Sequence, residues 1–433
     1  MYDSSGCHCW SISIGRCKGV ESTLINNTLM AVATSSLPCW PLGFLGQKEH
    51  RTRVRMQSNG RKTTISMSSQ QQEQSSSSPS SDLITGITRL LWGKSLPPQF
   101  LVSTVRTSWN AAWLLMMKQL APSDPSGSYA RPASSFRLHS FSSAALPNLH
   151  LYAALPCPWA HRTLIVRALK NLERAVPVSI ASPGADGAWE FPGAPSSDRA
   201  NGCRTLKEVY RLRRGGYDGR STVPMLWDVD NGDVFCNESY DIIRLFNSGL
   251  SEKYGESMTP DLAPSELKDE IDYWNGIIYP NVNNGVYRCG FAQSQEAYDA
   301  AVNNLFSTLD TVEAHLGASR FLCGDVLTLA DVCLFTTLIR FDLVYNVLFK
   351  CTRKKLVEYP NLHGYTRDIY QIPKVAETCN FDAIMDGYYR ILFPLNPGSI
   401  TPTVSASCQH EFLCEPHNRE SLSSKAAITV PAS

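Results

Sequence analysis

A short apolar strand that ends in a proline-flanked cysteine and leads directly into a helix is the feature that most constrains this 433-residue chain. Residues 149–155 are apolar enough for a buried strand, and Pro156, Cys157 and Pro158 follow at once. Apolar residues then recur with a helical period as far as Leu172. Because proline is favoured at the first position of a helix, Cys157 is predicted to be the N-cap.

This N-cap position predicts a reactive cysteine in a thioredoxin-like unit. Backbone N–H groups and the helix dipole favour thiolate, so we expect the pKa of Cys157 to be lowered toward neutrality. His161 and Arg162 are expected to add positive charge nearby. Ala160 stands where thioredoxins have a second cysteine, so an external thiol such as glutathione has to release a mixed disulfide. A buried structural cysteine is the alternative interpretation.

Three further signals complete this first domain. Pro224 after Val223 occupies the place of the cis-proline of thioredoxin folds, where the backbone of Val223 would pair with a peptide such as glutathione. Residues 230–233, Asp-Asn-Gly-Asp, predict a hairpin turn. Glu238 and Ser239 open a helix, where N–H donors suit a carboxylate and the glutamate suits an ammonium group. Ser239 taken alone is only a capping residue.

The second domain is predicted to be all-helical. Residues 262–390 lack strand alternation and show several long helical periods. Thr328 and Asp331 form a capping box, with apolar residues on both sides where a hydrophobic staple needs them. A helical domain of this kind after a thioredoxin-like domain is the architecture of soluble glutathione transferases.

The two ends of the chain are predicted to lie outside the fold. Residues 1–81 are rich in serine and arginine and poor in acidic residues, which predicts a disordered transit peptide and a chloroplast or plastid location. A cytoplasmic or mitochondrial location is the alternative. Residues 82–145 are predicted to be an arm with one apolar helical face, packed on the body, and 391–433 a disordered tail. The domains are then 146–255 and 262–390.

Charge and cysteine usage exclude several partners. Forty Lys and Arg residues against 39 Asp and Glu residues argue against nucleic acid as a partner, and no apolar run is long enough to span a bilayer. The 14 cysteines are too thinly spread for a disulfide scaffold. The tail contains four potential metal ligands, whose spacing matches no common zinc pattern, so no metal is expected. These ligands are Cys408, His410, Cys414 and His417.

Several long motifs between residues 125 and 390 occur in an order that is specific to one family. They are Cys-Pro-Trp-Ala-His-Arg at 157–162, Val-Asn-Asn-Gly-Val-Tyr-Arg-Cys-Gly-Phe at 282–291, Thr-Thr-Leu-Ile-Arg-Phe-Asp at 336–342, Phe-Lys-Cys at 349–351, Tyr-Pro-Asn-Leu at 359–362 and Glu-Thr-Cys-Asn-Phe-Asp at 377–382. The coil at 127–137 adds to them. Together they resemble the glutathionyl-hydroquinone reductases, the omega-like Xi-class glutathione transferases.

The resemblance implies an α/β domain followed by an all-α domain, the glutathione transferase fold, and a homodimer. It implies glutathione-dependent reduction of glutathionyl-hydroquinones through a mixed disulfide on Cys157, with glutathione as co-substrate. It also implies the residues of the site. The glutathione-binding positions are Trp189, Arg220, Val223, Pro224, Glu238 and Ser239, and the tyrosines around the quinol pocket are Tyr287, Tyr345 and Tyr388.

One of the implied site residues departs from the family pattern. Trp189 stands in Ala-Trp-Glu-Phe, where the family favours Gly-Trp-x-Phe.

Two other functions remain as alternatives. The first is an omega-like thioltransferase or dehydroascorbate reductase that uses the same cysteine. The second is a non-catalytic glutathione transferase-like binding module, against which the intact Cys157 and Val223-Pro224 argue.

Overall fold

A four-stranded mixed sheet forms the centre of the first domain. Its strands are β1 Leu149–Ala153, β2 Val178–Ile180, β5 Met225–Asp228 and β6 Asp233–Cys236, and a separate two-stranded pair consists of β3 Ser182–Pro183 and β4 Trp189–Glu190. The strand order is β2-β1-β5-β6, with β1 and β2 parallel and the other pairs antiparallel. All residues of β1 are buried, as expected for a strand paired on both sides. The predicted hairpin turn joins β5 to β6, which confirms that prediction.

In this computed structural model the described residues are 99–138, 140, 146–184, 187–250 and 259–423. The predicted transit segment 1–81 lies outside them. Within the described part of the chain, no helix is both long enough and apolar enough to cross a membrane.

Helices cover the sheet and make up the second domain. In chain order they are α1 Gln99–Leu120, α2 Pro158–Leu169, α3 Leu206–Leu212, α4 Ser239–Asn247, α5 Lys268–Ile278, α6 Gly285–Gly290, α7 Gln295–Leu316, α8 Leu329–Leu338, α9 Pro360–Tyr370, α10 Phe381–Tyr389 and α11 His410–Leu413. Short π-helical turns, Tyr279–Asn283 and Phe341–Tyr345, follow α5 and α8. The prediction of an α/β domain followed by an all-α domain is confirmed.

The start of α8 shows how local sequence fixes a buried helix end. The carboxylate of Asp331 accepts hydrogen bonds from the backbone N–H of Thr328 at 2.8 Å and from that of Leu322 at 2.9 Å. Tyr365 on α9 donates its hydroxyl to the same carboxylate at 2.8 Å. The N-terminal N–H groups of a helix have no partner within the helix. The Asp331 carboxylate supplies one for Thr328 and also stabilises the segment that leads into the helix. The predicted capping box is confirmed.

Burial of His150 on β1 makes the stability of the first domain depend on pH. Its side chain is 4% exposed, and its Nε2 lies 2.8 Å from the Ser179 hydroxyl on β2. Burial lowers the pKa of His150 from 6.5 to about 4, because the charged imidazolium loses its hydration there. Between these two pH values the unfolded chain binds a proton that the folded chain excludes. Stability is therefore lost as the pH falls from 6.5 toward 4.

We expect this one group to lower the free energy of unfolding by about 1 to 2 kcal/mol between pH 7 and pH 5, after allowance for solvent screening. Urea unfolding of the wild type and of His150→Gln at both pH values measures the effect. The variant should lose this part of the pH dependence, because glutamine does not titrate. An equal change in the two proteins would contradict the prediction.

The arm contacts the body over a smaller area than its sequence indicated. The predicted helix exists as α1, but Val105 and Trp109 are 61% and 48% exposed. Contact is made near the C-terminal end, where Met117 is fully buried and the Trp113 indole Nε1 donates to the Pro394 carbonyl at 3.0 Å. The predicted packing of this face is therefore seen only at its C-terminal end, because Trp113 and Met117 continue the four-residue spacing of Val105 and Trp109, which are exposed.

Part of the predicted tail is ordered against the helical domain. Residues 391–423 include short helical turns, and the Arg419 side chain is only 4% exposed. Its guanidinium donates to the backbone carbonyls of Leu316 at 3.0 Å and Arg320 at 2.9 Å. Composition hid this packing, because one buried arginine carries much of it rather than an apolar period. The rest of the tail, from 424 onward, lies outside the described residues.

Candidate active site

Cys157 lies at the start of α2, as predicted. It is the N-cap residue, with extended backbone and with proline at the first helical position. Its thiol is partly exposed and donates to the Val223 carbonyl at 3.6 Å. The Val223–Pro224 peptide bond is cis, which confirms the prediction for this proline. The thiol therefore faces the strand start at which a bound peptide would pair.

The pKa of Cys157 departs from the prediction in direction. Burial raises the pKa of the thiol, and this effect exceeds the stabilisation of the thiolate by the backbone N–H groups of Trp159 and Ala160. The positive charges that oppose the rise belong to Arg131 and Arg340. The expectation of a pKa near neutrality is therefore wrong for this structure, because the sequence could not show that burial of this partly exposed residue outweighs the effect of the helix start.

Nor do the two basic residues after Ala160 act as expected. The side chain of His161 is 1% exposed, and its pKa is lowered by burial and by the charge of Arg340, so it is neutral. Arg162 is directed away from the thiol, with its guanidinium 2.8 Å from Asn283 Oδ1 and 3.4 Å from the Ser239 hydroxyl. Positive charge reaches Cys157 from other parts of the chain.

A cleft of about 270 Å³ lies beside Cys157, which is not among its lining residues but contacts one of them, Val223, through its thiol. It collects five of the predicted glutathione positions, namely Arg220, Val223, Pro224, Glu238 and Ser239. Glu238 is the N-cap of α4, and its carboxylate also accepts a hydrogen bond at 2.7 Å from the hydroxyl of Ser134 in the N-terminal coil. A helix start beside a carboxylate offers donors for a carboxylate group and an acceptor for an ammonium group.

The cleft also has a wall that the sequence prediction of site residues omitted. Arg131 in the N-terminal coil places its guanidinium carbon 4.0 Å from the ring centroid of Trp159 and 6.0 Å from that of Tyr287. Both Arg131 and Trp159 line the cleft. A guanidinium over an aromatic face is held by a cation–π attraction. The signal that could have found Arg131 was its place in the 127–137 coil motif, which has no helical or strand period.

The three predicted tyrosines form one hydrogen-bonded cluster. The Tyr388 hydroxyl lies 2.6 Å from that of Tyr287 and 3.0 Å from that of Tyr345. Burial raises the pKa of each hydroxyl, so all three are protonated at neutral pH. Tyr287 and Tyr345 are close enough to Cys157 for its charge to affect their pKa values. The cluster therefore offers proton donors beside the thiol.

Close packing at two glycines brings the cluster to this position. A Cβ atom on Gly387 would lie 2.4 Å from the Pro156 Cβ, so only glycine allows α10 to approach the residue before Cys157. A Cβ atom on Gly290 would lie 2.3 Å from the ring of Phe349, which packs edge to face against Tyr287. Tyr388 follows Gly387 directly, so this approach sets the distance between the cluster and the thiol.

Trp189 is the predicted site residue that the structure leaves apart from the others. It is half-buried in β4, which pairs with β3, and it does not line the described cleft. Trp159 supplies the aromatic face there instead. Within the described residues, no group of three or more His, Cys, Asp or Glu side chains could hold a metal ion.

Comparison with known proteins places both domains. Residues 156–248 match the glutathione S-transferase N-terminal domain, and residues 295–368 match the glutathione S-transferase C-terminal domain. The glutathionyl-hydroquinone reductase YqjG of Escherichia coli is 46% identical over 279 residues, which cover 63% of this chain and 82% of YqjG. The chain belongs to the glutathionyl-hydroquinone reductase family. It is thus a glutathione-dependent oxidoreductase of the glutathione transferase type.

Other relatives agree with membership of the glutathionyl-hydroquinone reductase family. The glutathionyl-hydroquinone reductase PcpF of Sphingobium chlorophenolicum is 43% identical over 257 residues, covering 58% of this chain and 81% of PcpF. The glutathione-bound structure of YqjG superposes with a TM-score of 0.59 at 44% identity, covering 64% of this chain and 89% of YqjG. The structure of the glutathione transferase Xi of Phanerochaete chrysosporium superposes with a TM-score of 0.61 at 40% identity, covering 65% of this chain and 98% of that protein.

Proposed function

We propose that this protein reduces glutathionyl-hydroquinones to hydroquinones through a mixed disulfide between Cys157 and glutathione. The observation that carries the proposal is one thiol that adjoins both a peptide-binding type of cleft and a cluster of three protonated tyrosines. Ala160 leaves the turn without a second thiol, so glutathione has to resolve the mixed disulfide. Glutathione-dependent reduction itself follows from family membership.

The cleft would hold the glutathionyl part of the substrate. The backbone of Val223 would pair with the peptide, while Ser239 and the start of α4 would bind its γ-glutamyl carboxylate. Glu238 would accept the ammonium group. This placement directs the glutathionyl sulfur toward Cys157, because the thiol lies 3.6 Å from the Val223 carbonyl.

In the first step the Cys157 thiolate attacks the glutathionyl sulfur. The bond between that sulfur and the ring carbon breaks, and its electron pair forms the new bond between that carbon and a proton. The tyrosine cluster is placed to donate this proton. The products are the hydroquinone and a disulfide between Cys157 and glutathione.

In the second step a free glutathione thiolate attacks the glutathione sulfur of the mixed disulfide. The Cys157 thiolate leaves, and glutathione disulfide departs. One glutathionyl-hydroquinone and one glutathione thus become one hydroquinone and one glutathione disulfide. The reaction needs a nucleophilic cysteine thiolate, unlike glutathione addition, which needs activation of the thiol of glutathione itself.

Incubation of the full chain with glutathionyl-menadiol and excess glutathione tests the proposal. We expect menadiol and glutathione disulfide to be released in equal amounts. Anaerobic chromatography measures both products. Turnover of hydroxyethyl disulfide without menadiol release would favour the omega-like thioltransferase instead. Binding of S-methylglutathione without turnover of either substrate would favour a non-catalytic module.

A further inference from the structure

A buried arginine from the helical domain supports the turn that carries Cys157. Arg340 lies two residues beyond α8 and is fully buried. Its guanidinium donates to the Leu155 carbonyl at 3.0 Å and to the Pro156 carbonyl at 3.1 Å. These are the two residues that precede Cys157 in the chain. One side chain of the second domain therefore fixes the backbone that presents the thiol in the first.

The remaining donors of Arg340 reach the helix on the other side of the thiol. One guanidinium nitrogen lies 2.9 Å from the Thr336 carbonyl and 2.9 Å from His161 Nδ1. Because arginine can only donate, His161 Nδ1 accepts, and the histidine proton is on Nε2. That Nε2 donates to the Thr378 hydroxyl at 2.9 Å. His161 belongs to the helix that Cys157 caps, so the guanidinium holds both sides of the thiol.

Among the described residues, no carboxylate pairs with the charge of Arg340. Its hydrogen-bond partners among the described residues are three carbonyls and a neutral imidazole. A buried cation in this state is costly, and an anion nearby reduces that cost. Arg320 shows the usual solution, because this arginine, which is also buried, makes two hydrogen bonds of 2.8 Å to the carboxylate of Asp368.

We propose that Arg340 is a positioning residue for Cys157. Its side chain fixes the turn before the thiol, and its buried positive charge is neutralised by the Cys157 thiolate. The inference rests on the proposed role of Cys157 as nucleophile. Three other groups interact electrostatically with the sulfur. Arg131 reaches it from the coil as the other cation, and Tyr287 and Tyr345 are protonated. His161, which Arg340 contacts, is neutral. Of the two cations, Arg340 is the one whose guanidinium is bound by buried backbone carbonyls.

The test compares Arg340→Met and Arg340→Lys with the wild type, using the full chain. Iodoacetamide alkylation of Cys157, followed by peptide mass spectrometry across a pH series, gives the midpoint of thiolate formation. For Arg340→Met we expect the midpoint to rise by about 1 pH unit. The alkylation rate at pH 7 should fall about tenfold. Lysine keeps the charge and lacks the planar fork, so Arg340→Lys should give an intermediate shift.

Turnover separates positioning from general damage. The kcat for glutathionyl-menadiol should fall together with the alkylation rate, while the KM for glutathione stays within about twofold. Arg320→Lys is the matched control. It removes a buried arginine fork of the same domain and should lower the unfolding temperature without moving the alkylation midpoint. Unchanged midpoints in both Arg340 variants, with only stability lost, would overturn the inference.

A third variant covers the case in which neither Arg340 variant folds. His161→Phe keeps a ring and removes the acceptor that orients the guanidinium, so the midpoint should again rise, and an unchanged midpoint would overturn the inference. The alkylation assay uses no hydroquinone. A wild type that releases no hydroquinone but shows an Arg340-dependent midpoint would refute the proposed function and leave this inference standing.

Discussion

Replacement of Cys157 by serine should abolish hydroquinone release, with a fall in kcat/KM of roughly 1,000-fold or more. The serine hydroxyl is not ionised at neutral pH and cannot form the mixed disulfide on which the proposed reaction depends. Chromatography of the released hydroquinone measures the loss. Mass spectrometry should show a glutathione adduct on the wild-type peptide that contains Cys157 and none on the variant.

Cys203→Ser provides the matched control for this experiment. Cys203 is also partly exposed and its pKa is also raised by burial, to about 11, but it lies in the segment before α3 and not at the start of α2 beside Val223. This variant should retain full turnover. Residual activity of Cys157→Ser above about 1% of the wild type would show that another group can attack the glutathionyl sulfur.

The second large effect concerns the tyrosine cluster. Tyr388→Phe removes the hydroxyl that bridges Tyr287 and Tyr345, so the proton donor beside the aromatic leaving group loses its hydrogen-bonded chain. We expect the kcat for glutathionyl-menadiol to fall roughly 100-fold, the lower end of the range for positioned acid–base groups. Turnover of hydroxyethyl disulfide should change less than about threefold, because a thiolate leaving group needs no carbon protonation.

Tyr389→Phe isolates the cluster from general packing effects. Tyr389 is the next residue of α10, is 3% exposed, and donates its hydroxyl to the Leu343 carbonyl at 3.0 Å rather than to the cluster. Its removal should affect stability and leave the ratio of the two activities unchanged. Equal losses of both activities in Tyr388→Phe would show that the tyrosine supports the site only structurally.

Features fixed by neighbouring residues could be predicted from the sequence. The N-cap position of Cys157, the hairpin between β5 and β6, and the start of α8 at Thr328 each depend on a few consecutive side chains. Local chemistry of this kind is readable because the backbone groups that it satisfies lie within one turn. The resemblance to the family then assigned the three tyrosines to one pocket, which no local sequence pattern could do.

Features fixed by distant segments could not be predicted. Arg340 contacts Pro156 across a separation of 184 residues, and Arg131 reaches Trp159 from a coil without periodicity. Burial of Cys157 in the folded chain determines the direction of its pKa shift against the charges of these two arginines, and helix geometry alone gave the wrong sign. Trp189 shows the opposite case, because a motif match placed it in a site whose described cleft it does not line.

The coil that carries Arg131 sets a limit on how far the chain can be trimmed from its N terminus. This coil is fastened to the helical domain by a hydrogen bond of 2.9 Å from the Gln293 N–H to the Gly127 carbonyl, and to the first domain by Ser134 on Glu238. A protease cut upstream of residue 124 would leave both fastenings intact. A cut beyond Arg131 would spare the two matched domains, 156–248 and 295–368, and still remove one wall of the cleft. The cleft, and not the domain match, therefore sets how far this chain can be shortened without loss of its binding site.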